Sequence, residues 1–265
     1  MGQRALQNAE VIFTDVRVPA EVACFSSLLK AGRNEEILEL IDRGPKSFRF
    51  YREWGVKALL ATGKKARALR YAEESRDGYT SSSYISRQCQ EILLSSGLSE
   101  EAYDRYALDA NWKTTYLATF REVARKFPDI DKSRILEDLV ASTPGNEGKW
   151  FAAAKWAGLY DRAIELANTS PCDPKTLTRA ARDMAQTQPR FAVEAGIAAI
   201  HWLVEGYGYE ITGMDVISAF DYAMQAANSA GCAEEVHRRI CEIVAGEKSS
   251  DRFVAKHLSR KLGPG

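Results

Sequence analysis

The sequence predicts an all-α chain of stacked helical hairpins, and three observations carry that prediction. In Lys149 to Asn168 (KWFAAAKWAGLYDRAIELAN), Trp150, Phe151, Ala153, Ala154 and Ala157 form an apolar helix face that stops at Gly158. Helical spacing resumes at Ala163, Ile164, Leu166 and Ala167, which is an αα-hairpin in twenty residues. Gly158 is expected where two helices approach closely and the backbone bends, with Ala163 and Ala167 as a flat stripe. Next, turn glycines at Gly32, Gly63, Gly97, Gly158 and Gly231 lie 31, 34, 61 and 73 residues apart, single or doubled steps of a period near 34. Lastly, the fifth residue after each glycine (Ile37, Ala68, Ala102, Ala163, Val236) and the ninth (Ile41, Ala72, Tyr106, Ala167, Ile240) are all apolar or aromatic.

The individual elements follow in order. Val11, Phe13, Val16 and Val18 nearly alternate, as in a strand, but Ala5, Ala9 and Phe13 fit a helix face ended by Pro19. Residues 1–19 are read as a helical cap on an array spanning 20–245. Phe25, Leu28 and Leu29 lead to Gly32, and Ile37 to Ile41 return and close at Gly44-Pro45. A second hairpin runs from Phe48 to Ser75 through Gly63. The third starts at the Ser81-Ser82-Ser83 cap cluster and turns at Gly97, where Glu100 and Glu101 suit the positive end of the next helix. The fourth is looser: Trp112, Tyr116, Leu117, Phe120 and Val123, a turn at Phe127-Pro128-Asp129, then Ile135 to Val140. Beyond residue 168, Asp173-Pro174 is a strong helix start. Helices are expected over 174–187, 190–205, 214–230 and 233–245, with a basic helix and tail over 246–265. The segment from Gly206 to Gly213 is the one long irregular stretch, and long loops often carry function.

Composition narrows the function classes. Thirty-six basic and thirty-six acidic residues give no global field for nucleic acid or anionic membranes. Five dispersed cysteines, Cys24, Cys89, Cys172, Cys232 and Cys241, lack CxxC spacing and read as reduced thiols packed as small apolar residues. No signal peptide and no apolar run near eighteen residues is evident, so a soluble, cytoplasmic protein is expected.

The half-motif Gly158, Tyr160, Asp161, Ala163, Ala167 resembles the tetratricopeptide repeat family, over roughly residues 20–245 and in degenerate form. Val56 and Phe151 stand where the first half of that motif has its glycine. The resemblance implies a right-handed superhelix of about six hairpins with a concave face for a peptide or partner protein. In such a superhelix the concave positions, ten and six residues before each turn, are Glu53 and Lys57, Arg87 and Glu91, and, with a turn at Asp131, Arg121 and Arg125. Trp156, two before Gly158, falls near the same side. Lys57, Arg87, Arg121 and Arg125 would then suit an acidic segment or terminal carboxylate, since guanidinium forks accept carboxylates. The competing reading is a solvated polar face.

Catalytic signatures are incomplete. His201 and Glu205 share a helix face but lack a nucleophile or second carboxylate nearby in sequence. Cys232, His237 and Cys241 lack a fourth zinc ligand, and Gly206, Gly208 and Gly213 lack the strand and GK[ST] of a phosphate loop. Trp54, Trp112, Trp150 and Trp202 read as core. The expectation is therefore a scaffolding or protein-binding module with no catalytic residue, metal or cofactor. The alternative is a nucleic-acid-associated component of a larger bacterial assembly, touching phosphates through Lys64, Lys65, Arg67 and Arg70 or Lys256, Arg260 and Lys261.

Overall fold

A computed structural model describes residues 19–44, 51–76 and 82–263. Every regular element among them is helical, and the chain divides into two compact units that meet in sequence between Trp112 and Lys113. The first unit holds α1 (Pro19–Lys30), α2 (Asn34–Arg43), α3 (Arg52–Ala61), α4 (Lys65–Glu73), α5 (Ser82–Leu94) and α6 (Ser99–Ala110). The second holds α7 (Tyr116–Lys126), α8 (Lys132–Ala141), a 3-10 turn (Glu147–Trp150) running into α9 (Phe151–Ala157), and α10 (Tyr160–Thr169). It continues with α11 (Pro174–Met184), α12 (Pro189–Val204), α13 (Gly213–Ala230), α14 (Ala233–Ala245) and α15 (Phe253–Leu262). The expected N-terminal helix, Pro45, Phe48 and Ser81 lie outside the described residues. No described helix is long and apolar enough to cross a membrane.

One hinge recurs. Gly32, Gly63, Gly97, Gly158 and Gly231 all have φ between 71° and 81°. The residue after each donates its N–H back five positions: Arg33 to Leu28 (2.9 Å), Lys64 to Leu59 (2.9 Å), Leu98 to Leu93 (3.0 Å), Leu159 to Ala154 (3.0 Å) and Cys232 to Ala227 (2.9 Å). This left-handed cap satisfies carbonyls that the helix end would otherwise leave open. The return helix then starts two residues after the glycine in all five cases. That fixed offset puts the fifth and ninth positions on the inner face, and all ten residues predicted there are buried. Gly206 makes a sixth such cap (φ 79°, Tyr207 N–H to the Trp202 carbonyl, 2.8 Å), but its return helix is delayed to Gly213.

The structure corrects the role given to Gly158. A methyl group there would meet nothing within 4 Å, so only the backbone conformation requires glycine. Close approach is served by Gly148 and Gly196. An ideal Cβ on Gly148 would lie 2.3 Å from the Ser170 carbonyl oxygen, and one on Gly196 2.8 Å from the Ala223 Cα where α12 crosses α13. Two further expectations are corrected. Trp112 follows α6 and stands outside α7, because Thr115 caps that helix by accepting the Ala118 N–H (3.2 Å), and its side chain is exposed with the core elsewhere. Cys24 is exposed, whereas Cys89 and Cys172 are buried as expected.

In the first unit each helix packs on the next, and α1 also meets α3 around Phe25, Ile37, Ile41, Trp54 and Ala58. Successive hairpins are tied by phenols: Tyr51 donates to Glu21, Tyr84 to Glu53 and Tyr106 to Glu73, across 30, 31 and 33 residues. In the second unit helices also touch the next but one. There α12 meets α10, α11, α13, α14 and α15, and twelve of its sixteen residues are buried, as expected of a helix apolar on all sides. The Trp202 indole N–H donates to the Ala167 carbonyl (2.7 Å), closing the end of α10. The buried Glu247 carboxylate accepts the Val254 (3.0 Å) and Ala255 (2.9 Å) N–H groups and so caps α15 from outside the helix.

Two outcomes follow from this packing. Gly158→Ala is expected to cost about 1–2 kcal/mol, the penalty of a left-handed residue. Gly196→Ala must instead spread α12 from α13, at up to about 3 kcal/mol; urea unfolding of both variants gives the order. Burial, reinforced by the Glu21 carboxylate, pushes the Tyr51 phenol up to about 12, and burial beside Glu53 and Glu73 raises Tyr84 and Tyr106 as well. Raised folded values mean stability intact below about pH 10 and lost as pH climbs through the folded pKa. Thermal melts should therefore fall between about pH 10 and 12, less steeply in a variant with all three tyrosines changed to Phe.

Candidate functional site

The short helix α9 buries Phe151, Ala153 and Ala154 and leaves Trp156 outward, 44% exposed. Its indole stands edge-on to Phe120 of α7, with ring centres 5.9 Å apart, and Phe120 is itself fully buried. Two cations from different helices lie against the indole: Arg121 of α7 at 5.3 Å and Lys132 of α8 at 5.1 Å from ring centroids. Each is placed by local structure. Arg121 follows the anchored Phe120, and Lys132 opens α8 directly after Asp131, whose carboxylate accepts the Ser133 N–H at 2.7 Å and the Arg134 N–H at 3.4 Å. Neither Arg121 nor Lys132 pairs with a carboxylate among the described residues. The result is an aromatic plate flanked by two exposed cations, an arrangement that attracts negative charge.

The other candidate residues are engaged differently. Arg125 spends its guanidinium on Glu122 of the same helix (2.9 Å), which holds the Glu122 carboxyl below its usual range. In the first unit Lys57 lies over the Trp54 ring at 4.1 Å and pairs with Glu53 at 3.8 Å, while Glu53 also receives the Tyr84 hydroxyl. Arg87 reaches the Ala110 carbonyl at the end of α6 (3.5 Å), and Glu91 is exposed on the same helix as Tyr84, whose phenol its charge helps to raise. Of the six, Arg121 and Trp156 are thus brought into contact. Lys57, Arg87 and Glu91 belong to the other unit.

Histidine chemistry does not assemble. His201 is half-buried against its neighbour Trp202, with rings 4.8 Å apart. His237 approaches the Cys241 sulfur (3.6 Å) through Nδ1 and the Lys261 carbonyl (3.3 Å) through Nε2. Among the described residues no three His, Cys, Asp or Glu side chains are placed to hold a metal. The 206–213 loop is pinned by Tyr207, edge-on to Trp202 at 5.1 Å, and by Lys175, which donates to the Glu210 carbonyl (3.0 Å). It borders a cleft of about 420 Å³ between α11 and α13.

Comparison with family models, curated proteins and solved structures finds no match. Function therefore rests on the geometry of the chain itself. Two residues escaped the sequence reading. Lys132 lies outside the ten-and-six spacing and joins the site only because α8 folds beside α9; Arg179, on the cleft, sits in a basic stripe of α11 read as plain helix.

If the plate holds its cations as the distances indicate, Arg121→Gln and Trp156→Leu combined in a double-mutant cycle should show coupling of about 0.5–1 kcal/mol in urea unfolding. Coupling near zero would mean the guanidinium is merely adjacent.

Proposed function

We propose that this chain is a non-enzymatic helical-repeat module, a tetratricopeptide-like right-handed superhelix in its hairpin-rich parts, that binds an acidic segment of a partner protein. The observation that carries this reading is the Trp156 plate with Arg121 and Lys132 against it. A soluble protein has little reason to hold an indole half in water between two cations that have no carboxylate, unless a ligand completes the arrangement. An acidic side chain or terminal carboxylate would complete it, taking Arg121 bidentately while apolar atoms cover the indole. Lys57 and Arg87 extend this reading to the first unit, where they are the concave cations of the repeat. The hinge register and the stacking of neighbouring helices support the repeat itself, because such arrays bury their cores between neighbours and leave one face open.

Peptide selection against the immobilised full chain tests the reading. Recovered sequences should be rich in Asp and Glu or end in an acidic carboxylate, and binding should weaken with salt. Arg121→Glu with Lys132→Glu should weaken it about tenfold or more. Selected peptides without acidic character, or equal binding by the double variant, would remove the plate from the function. Selective, salt-sensitive binding of oligonucleotides through Lys64, Arg67 and Arg70, all exposed on or beside α4, would favour the nucleic-acid reading instead.

A further inference from the structure

The cleft between α11 and α13 has a chemistry distinct from the Trp156 plate. At about 420 Å³ it falls within the range of small-molecule sites. Lys175, Arg179 and Arg182, spaced four and three residues apart, line it from one face of α11, a span of roughly 10 Å along the axis. From the opposite wall α13 contributes Ser218 and Tyr222, four apart on its own face.

The acids around the cleft are already committed. Asp173 accepts the Thr176 N–H (2.9 Å) and hydroxyl (2.7 Å), and Asp215 accepts the Thr212 N–H (2.8 Å) and hydroxyl (2.7 Å). Asp183 takes Arg182 (2.8 Å), and Asp215 also pairs with Lys175 (3.7 Å). Arg179 makes no ion pair with a described residue, although its charge, behind the Arg182 hydrogen bond, helps to hold the Asp183 carboxyl below its usual range. It is steered by donating Nε–H to the Lys175 carbonyl (3.2 Å) and Nη2–H to the Thr176 hydroxyl (3.0 Å), with Nη1 left over. The Thr178 and Ser218 hydroxyls, which line the cleft, make no hydrogen bond to a described residue. Near it, half-buried Lys155 has its amine shifted down, first by burial and also by the Arg179 charge, against the pull of Asp183. The four cations Lys155, Lys175, Arg179 and Arg182 face the three acids Asp173, Asp183 and Asp215, an excess of one positive charge.

We propose that this cleft binds the phosphate group of a small phosphate monoester, with Arg179 as its principal ligand and the Thr178 and Ser218 hydroxyls as further donors. A carboxylate offers two oxygens and is satisfied by one guanidinium fork. A phosphate monoester brings three terminal oxygens and nearly two charges, which matches a site richer in donors than in acceptors. The ester group distinguishes this ligand from orthophosphate, and the Tyr222 ring and Leu203 and Ile211 side chains give its carbon skeleton a surface.

Phosphorus NMR titration of the full chain with ribose 5-phosphate, orthophosphate and acetate tests the assignment. Saturable broadening of ribose 5-phosphate is expected below about 10 mM, tighter than orthophosphate and not competed by acetate. Affinity should fall as pH drops through about 6, where the monoester loses its second charge. Arg179→Gln and Ser218→Ala should each weaken binding, the first about tenfold, with circular dichroism melts unchanged. Arg190→Gln, exposed on α12 and outside the cleft lining, should leave it as it was. Absence of saturation, unaltered affinity in Arg179→Gln, or equal displacement by acetate would overturn the site. Equal constants for orthophosphate and ribose 5-phosphate would assign the cleft to free phosphate and overturn the ester.

Discussion

A backbone bond spanning five residues, closed over a left-handed glycine, governs the architecture of both units. It ends one helix, reverses the chain and releases the next helix after two residues, with no side chain required at the turn. Because the offset is fixed, the face of the returning helix is fixed with it, and whichever residues stand fifth and ninth must be apolar and small enough to meet the preceding helix. Alanine fills five of these ten positions and larger apolar or aromatic residues the rest, and all ten are buried. Gly206 illustrates the same constraint by its exception. The bond forms, but Gly208 and Glu210, both at positive φ, prolong the turn until Thr212 and Asp215 close a capping box for α13.

The two candidate surfaces in the second unit depend on this regularity and on its interruption. Trp156 is outward because the hinge at Gly158 cuts α9 after seven residues, leaving the indole past the last buried turn with α7 and α8 close enough to supply cations. The α11–α13 cleft exists because the return after Gly206 is late, so α13 meets α11 over a bordering loop rather than directly after a tight reversal. Neither surface needs a dedicated domain.

What was legible in the sequence was local. The glycine hinge and its buried register extend over ten residues, and the Asp173-Pro174 start over four, so composition and spacing reveal them. The close-packed glycines are opaque for the opposite reason: Gly148 meets Ser170, and Gly196 meets Ala223, from segments whose proximity only the fold decides. A glycine inside the long apolar run of α12 was still a readable signal, since that position weakens a helix unless something must come close. The Trp156 site was half visible. Arg121 and Trp156 emerge from repeat spacing, but Lys132 joins through a helix-to-helix contact without sequence periodicity. Arg179 lies in a visible basic stripe, Lys175, Arg179 and Arg182, but the helix that faces it across the cleft is set only by the fold. The phenol ties have no common spacing to betray them: Tyr51 and Tyr84 stand 33 residues apart, but Tyr106 follows Tyr84 by only 22.

The enclosure of α12 has a consequence for how the chain is made. During synthesis, the first unit can pair each helix with the one just completed, so little apolar surface waits for a partner. By contrast α12 emerges apolar on every side, and the helices that cover it include α13, α14 and α15, which leave the ribosome later. Until α13 and α14 pack on it, the nascent second unit carries an open apolar seam of the kind chaperones recognise. Burial of this half is thus tied to helices that follow α12 in sequence, and removing α15 would leave the faces of α13 and α14 that it covers open.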